Sequence, residues 1–146
     1  MFFLQLVIGA VLVCMTVVIH AVALEKIMKV LAAYGPYVYR KVHSRLWKSV
    51  ILVFAVLGVF CAHIVQIWLW AVFYLGVDAL PDFEEALYFS TSCFTTVGFG
   101  DVVLDKDWRL ISSFQSANGF ILFGWSTAFI FEVMSKLYET DSIQRR

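Results

Sequence analysis

The segment from Thr96 to Asp101, with the sequence TVGFGD, has the residue types and spacing of a ribbon that coordinates a cation. Gly98 and Gly100 stand at alternate positions, and glycine adopts left-handed or extended conformations that residues with a Cβ avoid. Alternating backbone handedness along such a ribbon can turn successive carbonyl oxygens to the same side. Rings of carbonyls from several chains then replace the water around a dehydrated cation. The Thr96 hydroxyl can add another ring at the inner end.

The composition indicates which surroundings must position this ribbon. The chain is 62% hydrophobic, 17% aromatic and only 15% charged, with a mean hydropathy of +0.84. A soluble domain of this size could not cover so much apolar surface. Three stretches, 1–24, 50–76 and 110–137, are long enough to cross a bilayer as helices, which takes about 20 apolar residues each. The predicted fold is therefore an all-α integral membrane protein.

The charges are unevenly distributed between these spans, although the net charge is zero. The segment 25–48 is basic and has one acid, whereas 77–108 carries seven acids against Lys106, with Arg109 directly after it. Short loops rich in Lys and Arg stay in the cytoplasm. We therefore expect a multi-pass membrane protein with 25–48 and the tail 139–146 inside and the N-terminus and 77–108 outside. The small size of the chain and the missing regulatory domain favour the cell inner (plasma) membrane as its location.

The first span has a second interpretation, as a secretory signal peptide, because Ala21-Val22-Ala23 resembles a cleavage site. Two features oppose it: no basic region precedes the apolar run, and the run is long for a signal core. Cleavage would also leave the basic segment outside, against the charge rule. The prediction is a retained transmembrane helix over 1–24.

The basic segment 25–48 is compatible with either of two structures. Ile27, Val30, Leu31 and Tyr34 recur at helical spacing, which fits a helix on the inner leaflet or a continuation of the first helix. Gly35-Pro36 is expected to end it. The segment can contact anionic lipid, or it can serve only as a signal that fixes topology.

A short helix is predicted just before the ribbon. Asp82 can cap it, and Glu85 three residues later could return the contact as in a capping box. The run Phe83 to Phe94 is too short to cross the bilayer, so it would enter partway and lead into the ribbon. Its partly negative C-terminal end would favour a cation in the cavity below.

The sixteen residues from Ala86 to Asp101, ALYFSTSCFTTVGFGD, resemble the pore helix and selectivity filter of the tetrameric potassium channels. The resemblance implies one quarter of a pore within a domain 49–138: an outer helix 49–76, a pore helix 82–94, a filter 95–101 and an inner helix 109–138. It implies K⁺ sites made by the filter residues, Thr96, Val97, Gly98, Phe99 and Gly100, with Asp101 at the outer mouth. It also implies a homotetramer.

Two residues depart from the usual pattern of that family. Phe99 replaces the more common tyrosine, which removes a hydroxyl that can tie the filter to its surroundings. Ser92 stands where some members carry a carboxylate that braces Asp101. We therefore expect a filter that is held less firmly and is prone to gate by itself. The arginines at every third helical position that a voltage sensor needs are missing from the sequence.

The third span contains the candidate gate. Gly119 matches the family's usual hinge position, whereas Gly124 is interpreted as a small residue that lets helices approach. One helical face carries Phe120, Phe123, Thr127, Phe131 and Ser135. If this face lines the pore, a ring of Phe131 could close it by dewetting.

Glu132 is the only carboxylate inside a predicted span, and an intramembrane acid is a functional candidate. It could form a cation-attracting ring at the inner mouth. Equally, it could form an i,i+4 ion pair with Lys136.

The remaining chemistry-bearing residues form no recognised site. The three histidines and three cysteines lack metal-ligand spacing, and no phosphate loop, nucleophile elbow or carboxylate pair is present. We therefore predict no enzyme, no cofactor beyond K⁺ and no nucleic-acid partner. Three functions remain: a potassium-selective channel, a weakly selective cation channel of the same architecture, and a non-conducting accessory membrane subunit.

Overall fold

The computed structural model describes residues 2–42 and 46–144, with the side chains of 140–144 left aside. These residues form four α-helices: α1 (Phe2–Lys41), α2 (Trp47–Gly76), α3 (Phe83–Phe94) and α4 (Arg109–Gln144). Within the described ranges, α1, α2 and α4 are long and apolar enough to cross a membrane. The predicted all-helical fold with three spans is therefore confirmed.

The first helix differs from the prediction. Of the two structures left open for 25–48, a helix on the inner leaflet or a continuation of the first helix, the structure has the continuation. The basic loop and the predicted end at Gly35-Pro36 are wrong, because α1 continues through Pro36 to Lys41. The reason is tertiary packing, because apolar side chains beyond residue 24 lie against α2 and α4. Ile27 sits on Gly58, and the Tyr39 ring meets the Trp47 ring edge-on at 5.1 Å. Burial of these side chains offsets the backbone hydrogen bond that proline removes.

The short helix α3 packs against α2 and α4, and α1 packs against the same two helices. α3 begins where predicted, since an Asp82 carboxylate oxygen accepts the Glu85 amide at 2.9 Å. Its last residue, Phe94, is fully buried among the apolar side chains that α2 and α4 contribute. Both ends of α3 are therefore fixed, which fixes the start of the ribbon that follows.

The last helix is longer than predicted. α4 was expected to end at 138 and to give way to a tail over 139–146, but the helix runs on to Gln144. Residues 145 and 146 lie outside the described part. At the same end of the bundle, the Lys48 ammonium lies 4.1 Å from the centre of the Tyr138 ring, which joins the start of α2 to α4 just before this extension.

Candidate functional site

The ribbon after α3 alternates in backbone handedness. Thr96, Gly98 and Gly100 have φ values of +62°, +55° and +79°, whereas Val97 and Phe99 between them do not have positive φ. The glycine spacing indicated this alternation at residues 98 and 100. Nothing in the sequence marked Thr96, because a threonine with positive φ is uncommon. The strain at Thr96 is held in place by the bonds described next.

Ser92 anchors the ribbon to α3. Its carbonyl oxygen accepts the amides of Val97 at 3.0 Å and Gly98 at 3.2 Å, and its hydroxyl accepts the amide of Phe99 at 3.3 Å. These three N–H groups are thereby directed back towards α3. Ser92 had been identified only as a lost brace for Asp101, so its role in holding the ribbon was missed.

The carbonyl oxygens of the ribbon have no such partners. Across residues 2–42 and 46–144, no hydrogen bond is donated to the carbonyls of Thr96, Val97, Gly98 or Phe99. The Val97 and Phe99 side chains are 54% and 69% exposed. A row of free carbonyls on a backbone anchored from behind can accept a cation, since carbonyl oxygens can replace an ion's hydration shell.

Tyr88 braces the outer end of the ribbon. Its hydroxyl donates to the Asp101 carboxylate at 2.7 Å, and its ring stacks on the Phe99 ring with centroids 6.4 Å apart and planes 9° from parallel. The other Asp101 oxygen accepts the Val102 amide at 3.1 Å. Tyr88 thus supplies the brace for Asp101 that Ser92 was not expected to provide. The one sequence signal for this role of Tyr88 is that its hydroxyl lies one helical turn before Ser92.

Removing the Tyr88 hydroxyl tests this brace. The hydrogen bond from Tyr88 holds the pKa of the Asp101 carboxyl below its ordinary value of 3.8. Because the pKa of Asp101 is lower in the folded state, this bond stabilises the fold above about pH 3.8, the ordinary pKa. The stabilisation is lost as the pH falls through the folded-state pKa. In Tyr88→Phe, we expect the Asp101 pKa to rise towards 3.8 and selectivity among cations to fall several-fold. NMR titration of Asp101 and reversal potentials would measure these effects.

Tyr34→Phe is the control, since Tyr34 lies exposed on α1 away from the ribbon. Equal selectivity in the wild type and both variants would show that the Tyr88 hydroxyl does not support the ribbon.

A buried hydrogen-bond network holds α3 between its neighbours. The Tyr74 hydroxyl donates to the Gln115 side-chain oxygen at 2.8 Å. The Gln115 amide in turn donates to the Ser90 hydroxyl at 2.7 Å and to its carbonyl at 3.1 Å. The Ser116 hydroxyl adds a bond to the Cys93 carbonyl at 2.9 Å. These residues were missed, because their partners lie far away in sequence.

The two glycines of α4 differ in how closely other atoms approach them. A Cβ on Gly119 would lie 2.0 Å from the Phe94 carbonyl oxygen, whereas a Cβ on Gly124 would meet nothing within 4 Å. The close-approach interpretation given to Gly124 is therefore wrong within this chain. It is Gly119 whose lack of a side chain lets α4 approach the end of α3. A hinge at Gly119 stays a prediction.

Most residues on the face predicted to line a pore are exposed in this chain, and the pore lining itself stays a prediction. Phe120, Thr127, Phe131 and Ser135 are exposed, with Phe131 at 65%. Phe123 is not on this open face, because its ring packs on His63 and Phe94 with centroids 4.7 and 5.6 Å away.

Glu132 is exposed and pairs with Lys136, with a nitrogen–oxygen distance of 2.7 Å. The i,i+4 pair is thus present in the chain. A role for Glu132 at an inner mouth stays a prediction.

Comparison with known proteins adds one positive finding. A protein-family model described as "Ion channel" matches residues 49–136, which is well over half of the chain. The matched range begins in α2, ends in α4 and contains α3 with its ribbon; all of α1 precedes it. No curated protein and no solved structure matches the chain.

Proposed function

Since the chain belongs to the ion channel family through its residues 49–136, we propose that it conducts K⁺ passively across the membrane as a homotetramer. The observation that carries this proposal is the ribbon at 96–99, whose carbonyls are free while its amides are bonded back to Ser92. A backbone held in this way presents oxygen ligands without having to reorganise when the ion arrives.

Four copies are proposed because one ribbon cannot surround an ion. Subunits with a single pore segment close around an axis by cyclic symmetry. In the isolated chain the exposed side chains of Val97 and Phe99 lie on the ribbon, and those of Phe120 and Phe131 lie on α4. These are apolar groups on the surfaces that neighbouring copies would cover. In this arrangement α3 re-enters the membrane from the outer side.

Each part of the site has a role in the proposed pathway. The carbonyls of Thr96, Val97, Gly98 and Phe99 and the Thr96 hydroxyl bind dehydrated K⁺. Asp101 raises the cation concentration at the outer mouth. The C-terminal end of α3 directs its partial negative charge into the cavity below the filter. Phe131 forms the inner constriction, and Gly119 is the candidate hinge.

Reconstitution into liposomes tests the function. With K⁺ inside and Na⁺ outside, a reversal potential close to that of K⁺ supports the proposal, and one near zero supports a weakly selective cation channel. An absence of flux under all conditions supports an accessory subunit. Gly98→Ala should abolish selective flux, because alanine is strained at φ +55°; the matched control, Gly76→Ala, adds a Cβ where nothing lies within 4 Å.

A charge-neutralising variant tests Glu132. If four copies of Glu132 surround the inner mouth, Glu132→Gln should reduce outward single-channel current and weaken block by internal divalent cations. The pairing with Lys136 is also lost in this variant, so Lys136→Gln is the control. Unchanged current and block in Glu132→Gln would exclude a ring of these carboxylates at the pore.

We further propose an inner (plasma) membrane location with the N-terminus outside and the C-terminus inside. The basic end of the bundle then faces the cytoplasm and contacts anionic lipid. A cavity of about 550 Å³ supports this contact, because its lining combines apolar side chains from α1, α2 and α4 with the two bases Arg40 and Lys136. Flux compared in neutral liposomes and in liposomes with anionic phospholipid, for the wild type and Arg40→Gln, would test it.

A further inference from the structure

A closed ring of hydrogen bonds joins the three long helices inside the bundle. Its members are two histidines, a glutamine and a serine: His20 from α1, His63 and Gln66 from α2, and Ser126 from α4. All four are buried. The two imidazole rings stack with their centroids 5.1 Å apart. Polar groups at this depth are costly and are functional candidates by default.

The distances define the order of the ring. The Gln66 amide nitrogen lies 3.1 Å from His20 Nδ1, and the Gln66 oxygen lies 3.2 Å from His63 Nδ1. The Ser126 hydroxyl lies 3.2 Å from His20 Nε2 and 2.9 Å from His63 Nε2. The same hydroxyl is also 2.8 Å from the Leu122 carbonyl.

With both histidines neutral, one assignment of protons satisfies every member. The Gln66 amide donates to His20 Nδ1, so the His20 proton is on Nε2 and is donated to Ser126. The Gln66 oxygen accepts, so the His63 proton is on Nδ1. His63 Nε2 must then accept the Ser126 hydroxyl proton. Each group donates and accepts in one direction around the ring, and nothing in the ring is left unpaired.

A second assignment holds one more proton. If His63 carries protons on both nitrogens, it donates to Gln66 and to Ser126. The Ser126 hydroxyl then turns its own proton to the Leu122 carbonyl and accepts from both histidines. No heavy atom has to move, because the carbonyl is already within hydrogen-bond distance. We propose that this ring is a proton-binding site that takes up a single proton at His63 and thereby links pH to conduction.

The surroundings limit the site to one proton. His20, from α1, is the titratable group that faces His63 most closely, and the two rings are stacked, so two positive charges would repel. From α2 and α4 the neighbours are the neutral Gln66, Ser126 and Phe123, and from α3 the neighbour is Phe94. Among the described residues, no carboxylate, lysine or arginine interacts with either histidine.

The position of His63 connects the site to the proposed pore. The His63 ring lies 5.7 Å from the ring of Phe94, the last residue of α3, whose carbonyl rests on Gly119. A charge here sits at the partly negative end of α3 and opposes the potential that this end directs into the cavity. Proton uptake should therefore lower the occupancy of the cavity by cations and reduce flux.

The binding step is tested without any need for conduction. The full-length protein, with ¹⁵N-labelled histidine, would be reconstituted in bilayers and followed by solid-state NMR from about pH 8 to about pH 5, the range in which histidine titrates. We expect one imidazole of the His20–His63 pair to become doubly protonated while the other stays neutral. Independent titration of both rings, or of neither, would overturn the site.

Two variants sharpen this result, and the chain supplies a control. His63→Gln should abolish the proton uptake. Gln66→Glu places a carboxylate beside His63 Nδ1 and should move the uptake to higher pH. His43, the third histidine, lies outside the described residues, and His43→Gln should leave the uptake unchanged. If His63→Gln still took up the proton, the proton would not bind at His63 and the proposed site would be wrong.

The link to conduction rests on the proposed function and has its own readout. K⁺ flux into liposomes should fall several-fold on acidification in the wild type and should lose this response in His63→Gln. Single-proton uptake together with flux that does not depend on pH would refute the link alone. An absence of flux at every pH would count against the channel, and the NMR result would still decide the proton site.

Discussion

Gly119→Ala is expected to displace α3 and to abolish conduction. An alanine Cβ would lie 2.0 Å from the Phe94 carbonyl oxygen and 2.9 Å from its carbonyl carbon. These are backbone atoms at the end of α3, so the clash cannot be relieved by a side-chain rotation. Overpacking typically costs about 1–3 kcal/mol, and we expect the upper end of this range here because backbone atoms must move. The free energy of unfolding in detergent and K⁺ flux in liposomes would measure the two effects.

Gly124→Ala is the matched control in the same helix. A Cβ at this position meets nothing within 4 Å in the chain, and alanine favours a helix over glycine by about 1 kcal/mol. We expect equal or higher stability and retained flux. If Gly119→Ala were as stable and as active as Gly124→Ala, the close contact between α3 and α4 would not exist in the folded protein.

Gln115→Leu is expected to have the second largest effect. Gln115 accepts the buried Tyr74 hydroxyl and donates to Ser90, so it ties α4 to both α2 and α3. Leucine is apolar and would leave the Tyr74 hydroxyl buried without a partner. An unsatisfied buried polar group costs about 1–3 kcal/mol. We expect a loss of that size in the free energy of unfolding.

A double-mutant cycle with Tyr74→Phe separates the hydrogen bond from packing. Replacement of both partners by apolar groups can be nearly neutral, so Tyr74→Phe combined with Gln115→Leu should be more stable than Gln115→Leu alone. Strictly additive losses would mean that the two side chains do not interact. The same measurement on Ser116→Ala would report the separate bond to the Cys93 carbonyl.

Features encoded by neighbouring residues could be predicted from the sequence. The spans followed from hydropathy, the start of α3 from Asp82, and the alternation of the ribbon from the spacing of Gly98 and Gly100. Each of these depends on residues within a few positions of one another. The cap bond from the Glu85 amide to Asp82, for example, joins residues three apart.

Features that depend on distant contacts could not be predicted. Spacing alone did not show which glycine of α4 lies against another helix, because the atom that decides this belongs to Phe94. Pro36 does not end α1, since side chains on both sides of it pack on α2 and α4. The hydrogen bond from Tyr88 to Asp101 depends on the path that the ribbon takes after α3, and no local sequence pattern specifies that path.

The side of α1 that faces the other helices carries polar groups, which matters for any truncation or replacement of this helix. Thr16 receives the Asn118 amide at 2.7 Å, and His20 receives that of Gln66. Removal of α1 would leave the side-chain amides of Asn118 and Gln66 without these acceptors and facing hydrocarbon, which lowers the stability of the fold. We therefore expect the segment 49–136 to be less stable without α1, and a purely apolar helix of equal length would not restore these two hydrogen bonds.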